Sequence, residues 1–130
     1  MKMSTKVAVI VLTGLSFICM HELGHWLAAE SFSLQPGFVL GGANNGLLGM
    51  AVGVMHNPAT PVQQTVVLFG ATLLPVLIAV IAAGAAHFTG NETAALVAET
   101  YLLLIVINLI PIPNAGQLDS VKLLAAVLPP

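Results

Sequence analysis

The sequence predicts a mainly α-helical membrane protein: three transmembrane helices, with a Gly-rich β-hairpin or re-entrant segment between the first and second. Three observations lead there. Of 130 residues, 58% are hydrophobic and only 6% charged, where soluble domains carry about 25% charged residues. The mean hydropathy is +1.01 and there is no arginine. Sixty-one consecutive residues between Glu30 and Glu92, and nineteen between Glu99 and Asp119, bear no formal charge, and such runs read as membrane spans. This composition excludes an ordinary cytosolic enzyme and a disordered chain. It also excludes a nucleic-acid binder, because three lysines cannot build a phosphate-neutralising stripe. A hydrocarbon core of about 30 Å takes roughly 20 helical residues, so residues 1–130 read as one membrane-embedded unit in a multi-pass protein.

The first span runs from about Lys6 to Ala29, roughly 36 Å of helix, with Trp26 placed as an interfacial anchor. Lys2 and Lys6 precede the apolar run Val7 to Met20 as in a secretory signal, but no small-x-small cleavage site follows. Cys19, the single cysteine, reads as a small buried hydrophobe. A second span runs from Pro61, a good first-turn residue, to about Phe88. Pro75 is expected to kink it, and Gly90 and Asn91 to end it. The third covers about Thr93 to Ile110, with Tyr101 as a candidate anchor, and Pro111-Ile112-Pro113 breaks the helix. Between the first two spans, Asn44-Asn45-Gly46 stands between Phe38-Val39-Leu40 and Leu47-Leu48, an Asn-Gly hairpin signal. A Gly-rich helix packing on its neighbours is the other reading of that segment.

His21-Glu22-Leu23-Gly24-His25 is the HExxH pattern. On a helix, His21 and His25 lie one turn apart on one face, able to place two imidazole nitrogens on one zinc ion, with Glu22 flanking that face. Three ionisable groups in one turn of a membrane helix call for a compensating partner such as a metal. Gly24 reads as a small residue that permits close helix packing. A catalytic zinc takes three protein ligands and keeps one position open. Ala28 and Ser31 stand where the elongated HExxHxxGxxH motif has its Gly and His, so the third ligand comes from elsewhere. Glu92, Glu99, His56, His87 and Asp119 are the candidates. Another divalent ion could occupy the same ligand types.

HELGH in the first span, with Asn108-Leu109-Ile110-Pro111-Ile112-Pro113 and Leu118-Asp119 at the end of the last, resembles the site-2 protease family of intramembrane zinc metalloproteases. The family's third-span motif is similar to N-x-x-P-x-P-x-L-D-G, matched here in order by Asn108, Pro111, Pro113 and Asp119. The spacing from Asn108 to Asp119 is three residues longer than usual, with Asn114-Ala115-Gly116 as the extra residues, and Ser120 stands in place of the glycine. The second span reads Gly70-Ala71-Thr72-Leu73-Leu74-Pro75 where the family often carries a G-P-x-x-N-like stretch. The resemblance covers the three-helix core, nearly the whole chain.

The resemblance implies zinc held by His21, His25 and Asp119, Glu22 as the proton-transferring carboxylate, and Asn108 lining the active site as a donor to the scissile carbonyl. It implies a transmembrane protein or peptide as substrate, the lipid bilayer as surroundings, and location in a prokaryotic cytoplasmic membrane. It places the HELGH end of its helix toward the cytoplasm, whereas Lys2 and Lys6 favour a cytoplasmic N-terminus by charge. A reading from another class is a non-catalytic, metal-stabilised membrane protein that binds partner helices.

Overall fold

The computed structural model describes residues 1–40, 52–55 and 60–110. It is mainly helical. Helix α1 spans Met3–Ser31, α2 spans Pro61–Thr89 and α3 spans Glu92–Leu109. All three are long and apolar enough to cross a membrane. Between α1 and α2, β1 (Gly37–Leu40) pairs antiparallel with β2 (Val52–Met55), Gly37 opposite Met55 and Leu40 opposite Val52. The expected turn at Asn44-Asn45-Gly46 and the Pro111-Ile112-Pro113 break lie outside the described residues.

The helix boundaries follow from local chemistry. Thr60 caps α2 through a reciprocal box: its Oγ1 accepts from the Gln63 amide at 3.3 Å while Gln63 Oε1 accepts from the Thr60 amide at 3.0 Å. Pro61 follows in the first turn, where its missing N–H leaves no acceptor wanting. Gly90 ends α2 with φ +67°, a left-handed conformation that glycine adopts without a Cβ clash. The next residue, Asn91, starts α3, its Oδ1 accepting from Thr93 and Ala94 amides at 2.9 and 3.1 Å. Two residues thus stop one span and begin the next. Helix α2 is assigned without interruption through Pro75, whose ring is fully buried.

The helices pack pairwise, α1 and α3 parallel and α2 antiparallel to both. The Met1 amine meets Glu92 at 2.9 Å, Ser16 meets Tyr101 at 2.7 Å, and His21 meets Asn108, so α1 and α3 advance together from one end. Phe17, Tyr101 and Ile105 form the centre of the bundle, with Ile78, Ala79, Val97 and Leu104 around them. A second cluster, Ala29, Leu34 and Val67, closes the far end of α1. Outward faces are apolar: Leu12 is 65% exposed and Leu73 70%. In water such faces would aggregate, whereas lipid tails are as apolar as they are.

Two expectations change. Tyr101 is not an interfacial anchor but 1% exposed in the bundle centre, its hydroxyl satisfied by Ser16 Oγ, which itself donates to the Thr13 carbonyl at 3.0 Å. Cys19 is exposed on α1, because in a lipid-facing helix an apolar side chain gains nothing by turning inward. Tyr101→Phe removes one partner and leaves Ser16 bonded to Thr13, so it should lower stability by only about 0.5–1.5 kcal/mol. Ser16→Ala strands a buried hydroxyl and should cost more, with Ser16→Ala/Tyr101→Phe recovering part of that loss. Unfolding in mixed detergent micelles checks the ordering of these three variants.

Candidate metal centre

The centre is built where the backbones of α1 and α2 come into contact. A Cβ on Gly24 would fall onto the Gly70 carbonyl oxygen and 2.8 Å from Ala71 Cα, and a Cβ on Gly70 would lie 2.6 Å from Ala28 Cβ. No side chain fits between the two backbones, as the reading of Gly24 as a packing residue requires. This contact brings the neighbouring turn of α2 within reach of α1. His25, one residue beyond Gly24 and buried, stands with Nδ1 2.9 Å from the Val67 carbonyl oxygen. A carbonyl only accepts, so Nδ1 carries the proton and donates it, which leaves the Nε2 lone pair for a ligand. A second hydrogen bond of this kind is the usual way a metal-binding imidazole is oriented.

His21 lies one turn earlier. Its ring meets that of His25 edge-on with centroids 4.9 Å apart, and stacks on Phe17 at 5.8 Å and 20°. Phe17 in turn packs edge-on against Tyr101, so His21 is braced by the bundle centre. From α3, the Asn108 amide nitrogen stands 3.3 Å from Nδ1 and 3.5 Å from Nε2 of His21. Glu22 sits beside them with Oε2 buried. Ligand atoms of His21, Glu22 and His25 all lie within 4.8 Å of one another, close enough for one metal ion.

This donor set fits a divalent ion of the zinc type. Imidazole nitrogens suit zinc, copper, iron and nickel, and the Val67 carbonyl fixes His25 in the tautomer whose Nε2 is the lone-pair nitrogen. The structure therefore brings together His21, Glu22, His25 and Asn108. Asp119 and His56 lie outside the described residues.

Other candidate third ligands are too distant. Glu92 stands at the opposite end of the bundle, ion-paired with the Met1 amine. Glu99 is exposed and nine residues before Asn108 on α3, about 13 Å along the axis. His87 packs against Phe88, twenty residues from Val67 on α2, about 30 Å away. The parallel run of α1 and α3 places Glu92 and Glu99 toward the wrong end, and the antiparallel course of α2 does the same for His87.

Sequence reasoning missed the Val67 carbonyl and the Phe17 support. A backbone acceptor leaves no side-chain signal, although Gly70, three residues on, marks where α2 approaches. Beside the centre, an apolar groove of about 540 Å³ opens between α1 and α2, lined by residues including Gly24, Leu27, Ala28, Phe69 and Leu73. No family model, curated protein or solved structure matches this chain.

Gly24→Ala forces the two backbones apart, and overpacking of this kind costs about 1–3 kcal/mol. It should lower both thermal stability and metal content, the latter because Val67 withdraws from His25. Val67→Ala keeps the carbonyl and should retain the metal. Zinc stoichiometry of the purified variants distinguishes the two.

Proposed function

We propose that this protein is an intramembrane zinc metalloprotease of the site-2 protease type, hydrolysing peptide bonds in or near transmembrane segments. The observation that carries the reading is the convergence of His21, Glu22 and His25 with Asn108 from α3, inside helices apolar enough to cross a membrane. The motif resemblance supports it, by pairing HELGH with a third-span Asn-Pro-Pro-Asp series. His21 and His25 would hold the metal through ring nitrogens, with Asp119 as the third ligand that the resemblance implies. A zinc ion in such a site provides Lewis-acid polarisation and lowers the pKa of water toward neutrality.

The chain's own residues do the rest. In this reading Glu22 accepts a proton from the attacking water and returns it to the leaving amine, so that hydrolysis consumes one water and yields a carboxylate and an amine. The Asn108 Nδ2 group donates to the oxygen of the scissile carbonyl as charge develops there, an interaction worth more in a low-dielectric site than in water. Phe17 and the Val67 carbonyl hold the two imidazoles in place. The apolar groove beside Gly24 suits the side chains of an apolar substrate segment.

A transmembrane substrate hides its peptide bonds in its own helical ladder, so it must become extended before it is cut. We take β1 and β2 to be the arms of a hairpin whose outer edge receives that segment by strand addition. Val39→Pro should then reduce cleavage while sparing zinc content.

The decisive comparison uses a fluorogenic transmembrane peptide in detergent together with metal analysis. Glu22→Gln should retain zinc and lose cleavage by at least about 100-fold. Asn108→Ala should retain zinc, lower kcat by about 100-fold and change KM little. Asp119→Ala should lose the metal. Stoichiometric zinc with no cleavage of any transmembrane segment would contradict the proposal and favour a metal-stabilised protein that binds partner helices.

A further inference from the structure

Helix α3 carries a titratable group that the metal centre does not use. Glu99 lies seven residues into α3, about 10 Å along the axis from its start, with Leu109 ten residues further on. It is exposed, and no hydrogen bond or ion pair reaches it among the described residues. Leu102, Leu103, Val106, Ile107 and Ile110 are also exposed, and with Glu99 they follow the i, i+3, i+4, i+7, i+8, i+11 spacing of one helix face. The opposite face, with Tyr101 and Ile105, is the one buried in the bundle. Glu99 therefore heads an apolar stripe that α1 and α2 do not cover.

A carboxylate in this position is expensive in lipid. Ionisable groups at membrane depth pair with one another or line a polar cavity, and a glutamate side chain, shorter than the lysine and arginine side chains that snorkel, cannot extend about 10 Å to the helix end. Glu92, at the end of the same helix, shows the contrast, since it reaches the Met1 amine at 2.9 Å. Lys2 and Lys6 lie in the first residues of the chain, at the end of α1 that also holds Met1 and Glu92. Among the described residues, no positive group stands at the depth of Glu99.

We propose that the outer face of α3, from Glu99 to Ile110, is a docking surface for a partner transmembrane helix that carries a single lysine or arginine level with Glu99. Charge complementarity selects this occupant. A second copy of the chain in the symmetric arrangement would set Glu99 against Glu99, and a purely apolar helix would leave the carboxylate unpaired. Leu102, Leu103 and Val106 then pack against the apolar side of the partner while the ion pair fixes register and depth. The surface is independent of the metal centre, so it stands or falls separately from the protease reading.

The test uses the full chain in phosphatidylcholine vesicles with synthetic leucine-rich transmembrane helices as probes, association being read by energy transfer. One probe carries a lysine about 10 Å from its end; the control carries leucine there. The lysine probe should bind wild type about tenfold more tightly than the leucine probe. Glu99→Leu should remove that preference, and Glu99→Gln, which keeps size and polarity but not charge, should reduce it. Both substitutions lie outside the helix contacts and remove a lipid-facing charge, so folding is preserved. Equal binding of the two probes, or a preference that persists in Glu99→Leu, would overturn the proposal. Self-association of the chain abolished by Glu99→Leu would also overturn it, by assigning the face to a second copy.

Discussion

The approach of α2 to α1 at Gly24 and Gly70 governs the rest of the structure. There is no room for a Cβ on Gly24, and one residue further on His25 donates to the Val67 carbonyl. That hydrogen bond exists only because two backbones lie in direct contact. In a bilayer no hydrophobic force drives helices together, so close packing of small residues and interhelical hydrogen bonds supply the association. Here the same contact supplies both. The residues that stabilise the α1–α2 pair are therefore inseparable from those that orient an imidazole.

Helix α3 is fixed differently, by polar groups rather than by small ones. Tyr101 and Ser16 share a hydrogen bond in the bundle centre, and seven residues further along α3, two turns, Asn108 reaches His21. Phe17 lies between these contacts, touching Tyr101 with its edge and His21 with its face. A single line of side chains thus joins the packing core to the imidazole pair. The chain has only eight charged side chains, and those among the described residues stand at the helix ends, at the HELGH turn and at Glu99.

Much of this was legible in the sequence. Uncharged runs located the three spans, and Gly90-Asn91 located the break between the last two. The i, i+4 spacing of His21 and His25 was enough to place both imidazoles on one face, and Gly24 between them announced a close helix crossing. What could not be read were contacts with no side-chain signature, such as the Val67 carbonyl, and those that depend on helix direction. Glu92, Glu99 and His87 were all chemically acceptable as third ligands. The parallel run of α1 and α3 places the two glutamates at the wrong end, and the antiparallel course of α2 places His87 there. Tyr101 was misread because a tyrosine in an apolar helix suits a membrane interface and a satisfied core position equally well. The distinction lay in Ser16, eighty-five residues away in the chain.

The central claim is that His21 and His25 bind one zinc ion in a site whose remaining ligands are oxygen or water. X-ray absorption at the zinc edge of the purified protein tests it most directly. The account predicts one zinc per chain, with two imidazole scatterers at about 2.0–2.1 Å and the rest of the shell made of oxygen donors. A sulfur ligand, a shell without histidine, or a protein that binds no zinc when both histidines are intact would contradict it.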